Sequence, residues 1–151
     1  MEKKIINKHV SFWVEDNSVL LCKISNLNPD QKLDYKIAQE CLAVVSELNT
    51  GVPMPIIIDL RDVKGTFSIA AGHLLSKKIE SMSLISTEVY LVNSLSINLL
   101  IKSYKRLYSK KLPHAIFKSM KLAKVYCLNY QSWFMRAINF MCFDVIKSII
   151  K

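Results

Sequence analysis

The run Pro55-Ile56-Ile57-Ile58-Asp59-Leu60 constrains this chain more than any other segment. It is far shorter than the roughly 20 apolar residues a membrane span needs. Its β-branched side chains lose rotamer freedom in a helix and pack well on a pleated surface. A strand apolar on both sides must be covered on both faces, which is the condition of a strand inside a parallel sheet wrapped by helices. The chain has 151 residues, one domain's worth. With 51% apolar and 22% charged residues, three Gly and four Pro, it is neither disordered nor collagen-like.

The flanking sequence supplies the rest of such a sheet. Val10-Ser11-Phe12-Trp13-Val14 and Val19-Leu20-Leu21-Cys22-Lys23-Ile24 are short and rich in β-branched or aromatic residues, separated by the turn-forming Glu15-Asp16-Asn17-Ser18. They read as a hairpin. Asn28-Pro29-Asp30 offers a cap and a first-turn proline for a helix whose apolar face is Leu33, Ile37, Cys41, Val44 and Leu48, ended by Asn49-Thr50-Gly51. After the isoleucine run, in which Asp59 falls near the C-terminal end, Gly65-Thr66-Phe67-Ser68 opens a second helix through Ala71, Leu75, Ile79 and Met82. Thr87-Glu88-Val89-Tyr90-Leu91-Val92 is the next strand. Ser94 or Ser96 caps a third helix, with Ile97, Leu100, Ile101, Tyr104 and Leu107 or Tyr108 on its inner face. Pro113-His114-Ala115-Ile116-Phe117 is the last strand, and Ser119 caps a helix ending near Leu128. The order is β-β-α-β-α-β-α-β-α, with one further amphipathic helix from about Ser132. It predicts an α/β fold with a mixed, mostly parallel sheet of four to five strands, right-handed crossovers and an antiparallel edge. Residues 1–130 form the domain, and 131–151 are a C-terminal helix rather than a second domain.

The N-terminus, Met1-Glu2-Lys3-Lys4, is charged, and no apolar stretch with a small-residue cleavage site follows it, so no secretory signal is expected. Cys22, Cys41, Cys127 and Cys142 lie far apart inside apolar patterns, as reduced thiols do in a cytoplasmic protein. The most apolar stretch, residues 133–150, is interrupted by Arg136, Asn139, Asp144 and Lys147, which excludes a transmembrane helix.

The element order, with Ile58-Asp59-Leu60-Arg61 entering a helix and Pro113-His114-Ala115-Ile116-Phe117 preceding the last one, resembles the STAS superfamily over about residues 9–130. Its members include the anti-sigma-factor antagonists and the cytoplasmic domains of sulfate transporters. The chain is most similar to uncharacterised bacterial STAS-like proteins of its own length. The resemblance implies phosphate-controlled partner binding rather than catalysis. In the antagonists a serine in an Asp-Ser/Thr-Ser/Thr-Gly segment opens the second helix and is phosphorylated, where the helix dipole stabilises the added charge. Here the stretch reads Phe67-Ser68-Ile69-Ala70, without the Asp and Gly. Ser68 is the nearest hydroxyl, either a phosphorylation site or a plain cap.

No catalytic constellation stands out. His9, His73 and His114 are scattered and no paired-cysteine spacing exists, so no metal is expected. Gly51, Gly65 and Gly72 build neither a phosphate loop nor a dinucleotide turn, and a nucleophile elbow is absent. Asp59 and Asp62 could form a polar pair at a strand end, with His73 as a base, but Asp59 orienting its loop beside a solvated Arg61 and Asp62 is the favoured reading. No enzyme activity and no cofactor are expected.

Charge and the C-terminal stretch carry the functional signal. Residues 89–143 contain no acid and nine bases. Lys102, Arg106 and Lys110, with Lys105 beside them, are expected to form an exposed stripe on the third helix that attracts an acidic protein partner. Nucleic acid is set aside: no recognition module is present and lysine outnumbers arginine. The wide apolar face of the last helix (Trp133, Phe134, Ile138, Met141, Val145, Ile149) has three open placements. These are packing on its own domain, a homodimer, or, less favoured, a membrane surface. The expectation is a non-enzymatic STAS-like regulatory or interaction module. The alternative is a small-molecule or lipid-binding domain whose C-terminal helix lines or covers a pocket.

Overall fold

A computed structural model describes residues 2–16, 18–26, 28–108 and 111–150. The hairpin forms as β2 (Val10–Glu15) and β3 (Val19–Asn26), antiparallel, with Phe12 opposite Cys22 and Trp13 opposite Leu21. The isoleucine run lies in β5 (Met54–Val63), parallel to β3. β7 (Ile85–Leu91) lies parallel to β5, and β8 (His114–Phe117) parallel to β7. A two-residue strand β1 (Lys4–Ile5) pairs with β2, giving a six-stranded sheet in the order β1-β2-β3-β5-β7-β8. It exceeds the expected four to five strands only by this short edge, which no hydrophobic pattern marks.

The α/β prediction holds: a mostly parallel central sheet with flanking helices. α1 (Tyr35–Leu48) starts later than expected. Asp34 is its cap, accepting the Ile37 N–H at 2.9 Å. Asn28 instead accepts the Asp30 N–H at 3.0 Å in a turn of its own, since a short amide side chain can serve either purpose. Between them β4 (Lys32–Leu33) pairs in parallel with β6 (Thr66–Phe67) in a separate two-stranded ribbon. Gly65 sits where these segments cross. A Cβ there would run into the Gln31 carbonyl and come within 2.9 Å of Asn26 Nδ2.

Ser68 caps α2 (Ile69–Met82) by accepting the Ala71 N–H at 3.1 Å, and Ser94 caps α3 (Leu95–Leu107) by accepting the Ile97 N–H at 3.3 Å. The largest departure is at the end. The two helices expected either side of residue 130 are one continuous helix, α4 (Met120–Ile150). Nothing between Leu128 and Ser132 breaks a helix, because the stretch holds neither Gly nor Pro.

Strand alternation divides the core in two. Phe12, Leu20, Cys22 and Ile56 face α1, with Ile58 and the α2 residue Ile79 packed against them. Leu60, Tyr90 and Val92 meet Ile97 and Ile101 of α3. On the opposite face Leu21, Ile57, Val89 and Leu91 pack on Ala123 and Cys127 of α4. Each large aliphatic side chain buried in this way stabilises the fold by about 1.5–3 kcal/mol.

Candidate functional site

Position 88 is an acid in the middle of a strand that is buried along its whole length. Glu88 and Tyr90, two apart, point to the face beneath α3. Glu88 Oε2 accepts from Lys105 Nζ at 2.6 Å and from the Tyr90 hydroxyl at 2.8 Å. The Glu88 and Lys105 side chains are only 2% and 3% exposed, so this is an ion pair out of contact with water. Burial, and then the neighbouring Glu88 charge, push the Tyr90 hydroxyl well up, and the phenol stays a donor.

Lys105 therefore does not belong to the exposed basic stripe. It lies four residues after Ile101 and one after Tyr104, both buried, which turns it inward. Lys102 and Arg106 are exposed, and Lys110 lies outside the described residues. Glu88 was missed because the strand was read for its apolar content. The available signal was that a charge inside a buried parallel strand requires a base, and the third helix supplies one.

An apolar cavity of about 130 Å³ adjoins this network between the sheet and the helices. Its walls include Cys41 and Val45 of α1, Leu75 and Ile79 of α2, and Tyr104 of α3, with Glu88 on the sheet side. A second, of about 90 Å³, lies nearer β4 and β6. α4 lines neither of these two cavities, because it packs on the other side of the sheet.

Asp59 lies within β5 rather than near its end, because the strand runs on to Val63. It accepts from the Arg61 backbone N–H at 3.1 Å, from Nε at 2.9 Å and from a terminal guanidinium nitrogen at 2.8 Å. Burial pushes the Asp59 carboxyl up, but the Arg61 bonds and charge outweigh it and hold the group below the ordinary carboxylate value. Asp62 pairs with Lys23 at 3.3 Å. Asp59 shares the α4 face with Ile57, whereas His73 is on α2 across the sheet, its ring 4.6 Å from that of Tyr108. The cleft of Asp59, Asp62 and His73 that catalysis would need does not assemble. Among the described residues no group of side chains could hold a metal ion.

Burial raises the thiols of Cys41 and Cys127 to about 12, and that of Cys22 well above its ordinary value, so these are inert core residues. Cys142 is exposed.

The other outstanding surface is α4. Its first turns are tied to the sheet by Ala123 and Cys127. Gln131 then donates to the Pro53 carbonyl at 2.8 Å and accepts from the Ser86 hydroxyl at 3.1 Å. Beyond Gln131 the helix leaves the sheet. Phe134 and Ile138 remain half-buried, while Trp133, Met141, Val145 and Ile149 are 61%, 67%, 56% and 76% exposed. Among the described residues no helix is long and apolar enough to cross a membrane.

The family model for a domain of unknown function (DUF7793) matches residues 12–131. No curated protein matches the chain. Among solved structures, a protein of the DUF3478 family from Shewanella loihica PV-4, described as uncharacterised and as having a SpoIIAA-like fold, is 12% identical. It superposes with a TM-score of 0.57 over 82% of this chain and 98% of its own. At that identity the likeness is one of fold, and the fold is SpoIIAA-like, of the STAS type that the sequence motifs resemble.

Proposed function

The chain belongs to the DUF7793 family, and we propose that it is a non-enzymatic STAS-like regulatory module that works through protein contacts and self-associates through the projecting half of α4. The observation that carries this reading is the uncharged arc of Phe134, Ile138, Met141, Val145 and Ile149, which continues the face that α4 turns to its own sheet and then runs out past it into water. A patch of this kind marks a contact surface. Having no charge to satisfy, the arc is complementary to a second copy of itself, and burying it twice in a two-fold pair removes both from water. An interfacial membrane helix needs a strongly charged opposite face, whereas this one carries only Arg136, Asp144 and Lys147 among exposed aromatic rings. A second contact region is supported by Lys102 and Arg106 on α3, within the acid-free stretch, and suits an acidic partner protein.

Light scattering on the full chain at micromolar concentration tests the reading. The wild type is expected to be dimeric, and the triple variant Met141→Ser, Val145→Ser, Ile149→Ser monomeric with an unchanged circular dichroism spectrum, since all three side chains are exposed. A wild type that stays monomeric overturns it.

A further inference from the structure

The costliest feature of this core is an ion pair in contact with an apolar void. Taking two charges out of water is expensive, and a pair of hydrophobic residues would hold the sheet and α3 together at least as well. Lys105 is not part of the cavity lining, whereas Glu88 is, with Phe12, Ile58, Tyr90 and Tyr104 among the other walls. A carboxylate has about four lone-pair sites. The bonds from Lys105 and Tyr90 both fall on Oε2. The group can accept a further donor from the cavity side.

We infer that this cavity is a binding site for a small, largely apolar molecule of about one ring, carrying a hydroxyl that donates to Glu88. The size follows from the space. About 130 Å³ is close to the engineered void of about 150 Å³ that stays dry and takes up benzene. The polarity follows from the lining, in which Glu88 is the anionic acceptor among aliphatic and aromatic walls. The bonds from Lys105 and Tyr90 hold that carboxylate in place.

The class of ligand is tested by ranking two isosteric probes, phenol and toluene. In a void with no acceptor toluene binds better, because phenol would bury an unpaired hydroxyl. Here phenol is expected to bind about tenfold more tightly than toluene, the effect of a hydrogen bond to a charged acceptor. Methyl NMR of the full chain reads both affinities from the shifts of Ile58, Ile79 and Ile101, with the exposed edge-strand residue Ile5 as the unaffected control. Leu75→Phe fills the cavity from its half-buried α2 wall and is expected to abolish the phenol shifts while keeping the thermal transition. Absence of saturable shifts at the lining isoleucines overturns the site. Binding in which toluene equals or exceeds phenol overturns the role of Glu88. Unchanged phenol binding in a folded Leu75→Phe variant overturns the location.

Discussion

The Glu88–Lys105 pair makes a demanding prediction, because its energy is not the sum of its parts. At 2.6 Å and an effective dielectric constant of about 20, the two charges attract by about 6 kcal/mol. Desolvation costs several kcal/mol per ion, so the intact pair contributes close to nothing. Breaking it is different. Lys105→Met leaves a buried carboxylate with the Tyr90 hydroxyl still bound, and Glu88→Gln leaves a buried ammonium facing a neutral amide. Each is expected to cost about 3–5 kcal/mol, equivalent to about 10 °C or more in the midpoint for a domain of this size. The double variant Glu88→Gln, Lys105→Met buries no charge and retains an acceptor for Tyr90. It is expected to fall within about 1–2 kcal/mol of wild type, giving a coupling energy of several kcal/mol. Urea melts followed by far-ultraviolet circular dichroism measure all four proteins, at one protein concentration because any self-association would add stability by mass action. If each single substitution costs less than about 1 kcal/mol, or if the double costs the sum of the two, the pair is not the desolvated unit described here.

Two further outcomes follow from the charged groups. Asp59 is held below its unfolded value, so it contributes stability above an unfolded value of about 4, and that contribution is lost as pH falls through the lower folded value. In Arg61→Met the guanidinium bonds and charge are gone, leaving only the backbone N–H of position 61 and Lys23 to oppose burial, and the gain in stability on raising pH from about 3 to 5 is expected to shrink. Melts parallel to wild type across that range would refute the role of Arg61. On α3, Lys102→Glu with Arg106→Glu reverses two exposed charges and is expected to weaken binding of a poly-glutamate peptide about tenfold at low salt without changing the fold. Affinity unchanged by the reversal removes this surface from consideration.

The fold was legible because its signals are local and repeated. A β-branched run, a cap at Ser68 or Ser94 and a 3.6-residue apolar period each identify an element without knowledge of its neighbours. The STAS resemblance likewise rests on element order and two short motifs, and the solved neighbour that superposes on the chain is SpoIIAA-like in fold. Elements whose cause lies elsewhere in the chain were not legible. β4 and β6 are two residues each and exist only because the loops before α1 and α2 run side by side. The unbroken α4 shows the converse: a change of surroundings from sheet to water at residue 131 looks, in sequence, like a change of element. Of the two readings of Ser68, phosphorylation site or plain cap, the structure displays the cap, with its hydroxyl accepting the Ala71 N–H.

Lys105 shows why a basic stretch read from composition overstates a basic surface. Of the nine bases in residues 89–143, Lys105 is consumed in the core by Glu88, and Lys124 pairs with Glu15 of the hairpin at 2.6 Å. Both acids lie outside the acid-free stretch and are brought to it by the sheet. The sheet also decides which charge is lost. With Ile97 and Ile101 of α3 packed against Tyr90 and Val92, position 105, one turn beyond Ile101, is turned toward position 88. A lysine there is tolerable only with an acid opposite, and an acid at 88 only with a base. One pair thus sets the register of α3 on the sheet, fixes which α3 charges reach water, and places a carboxylate beside an apolar void.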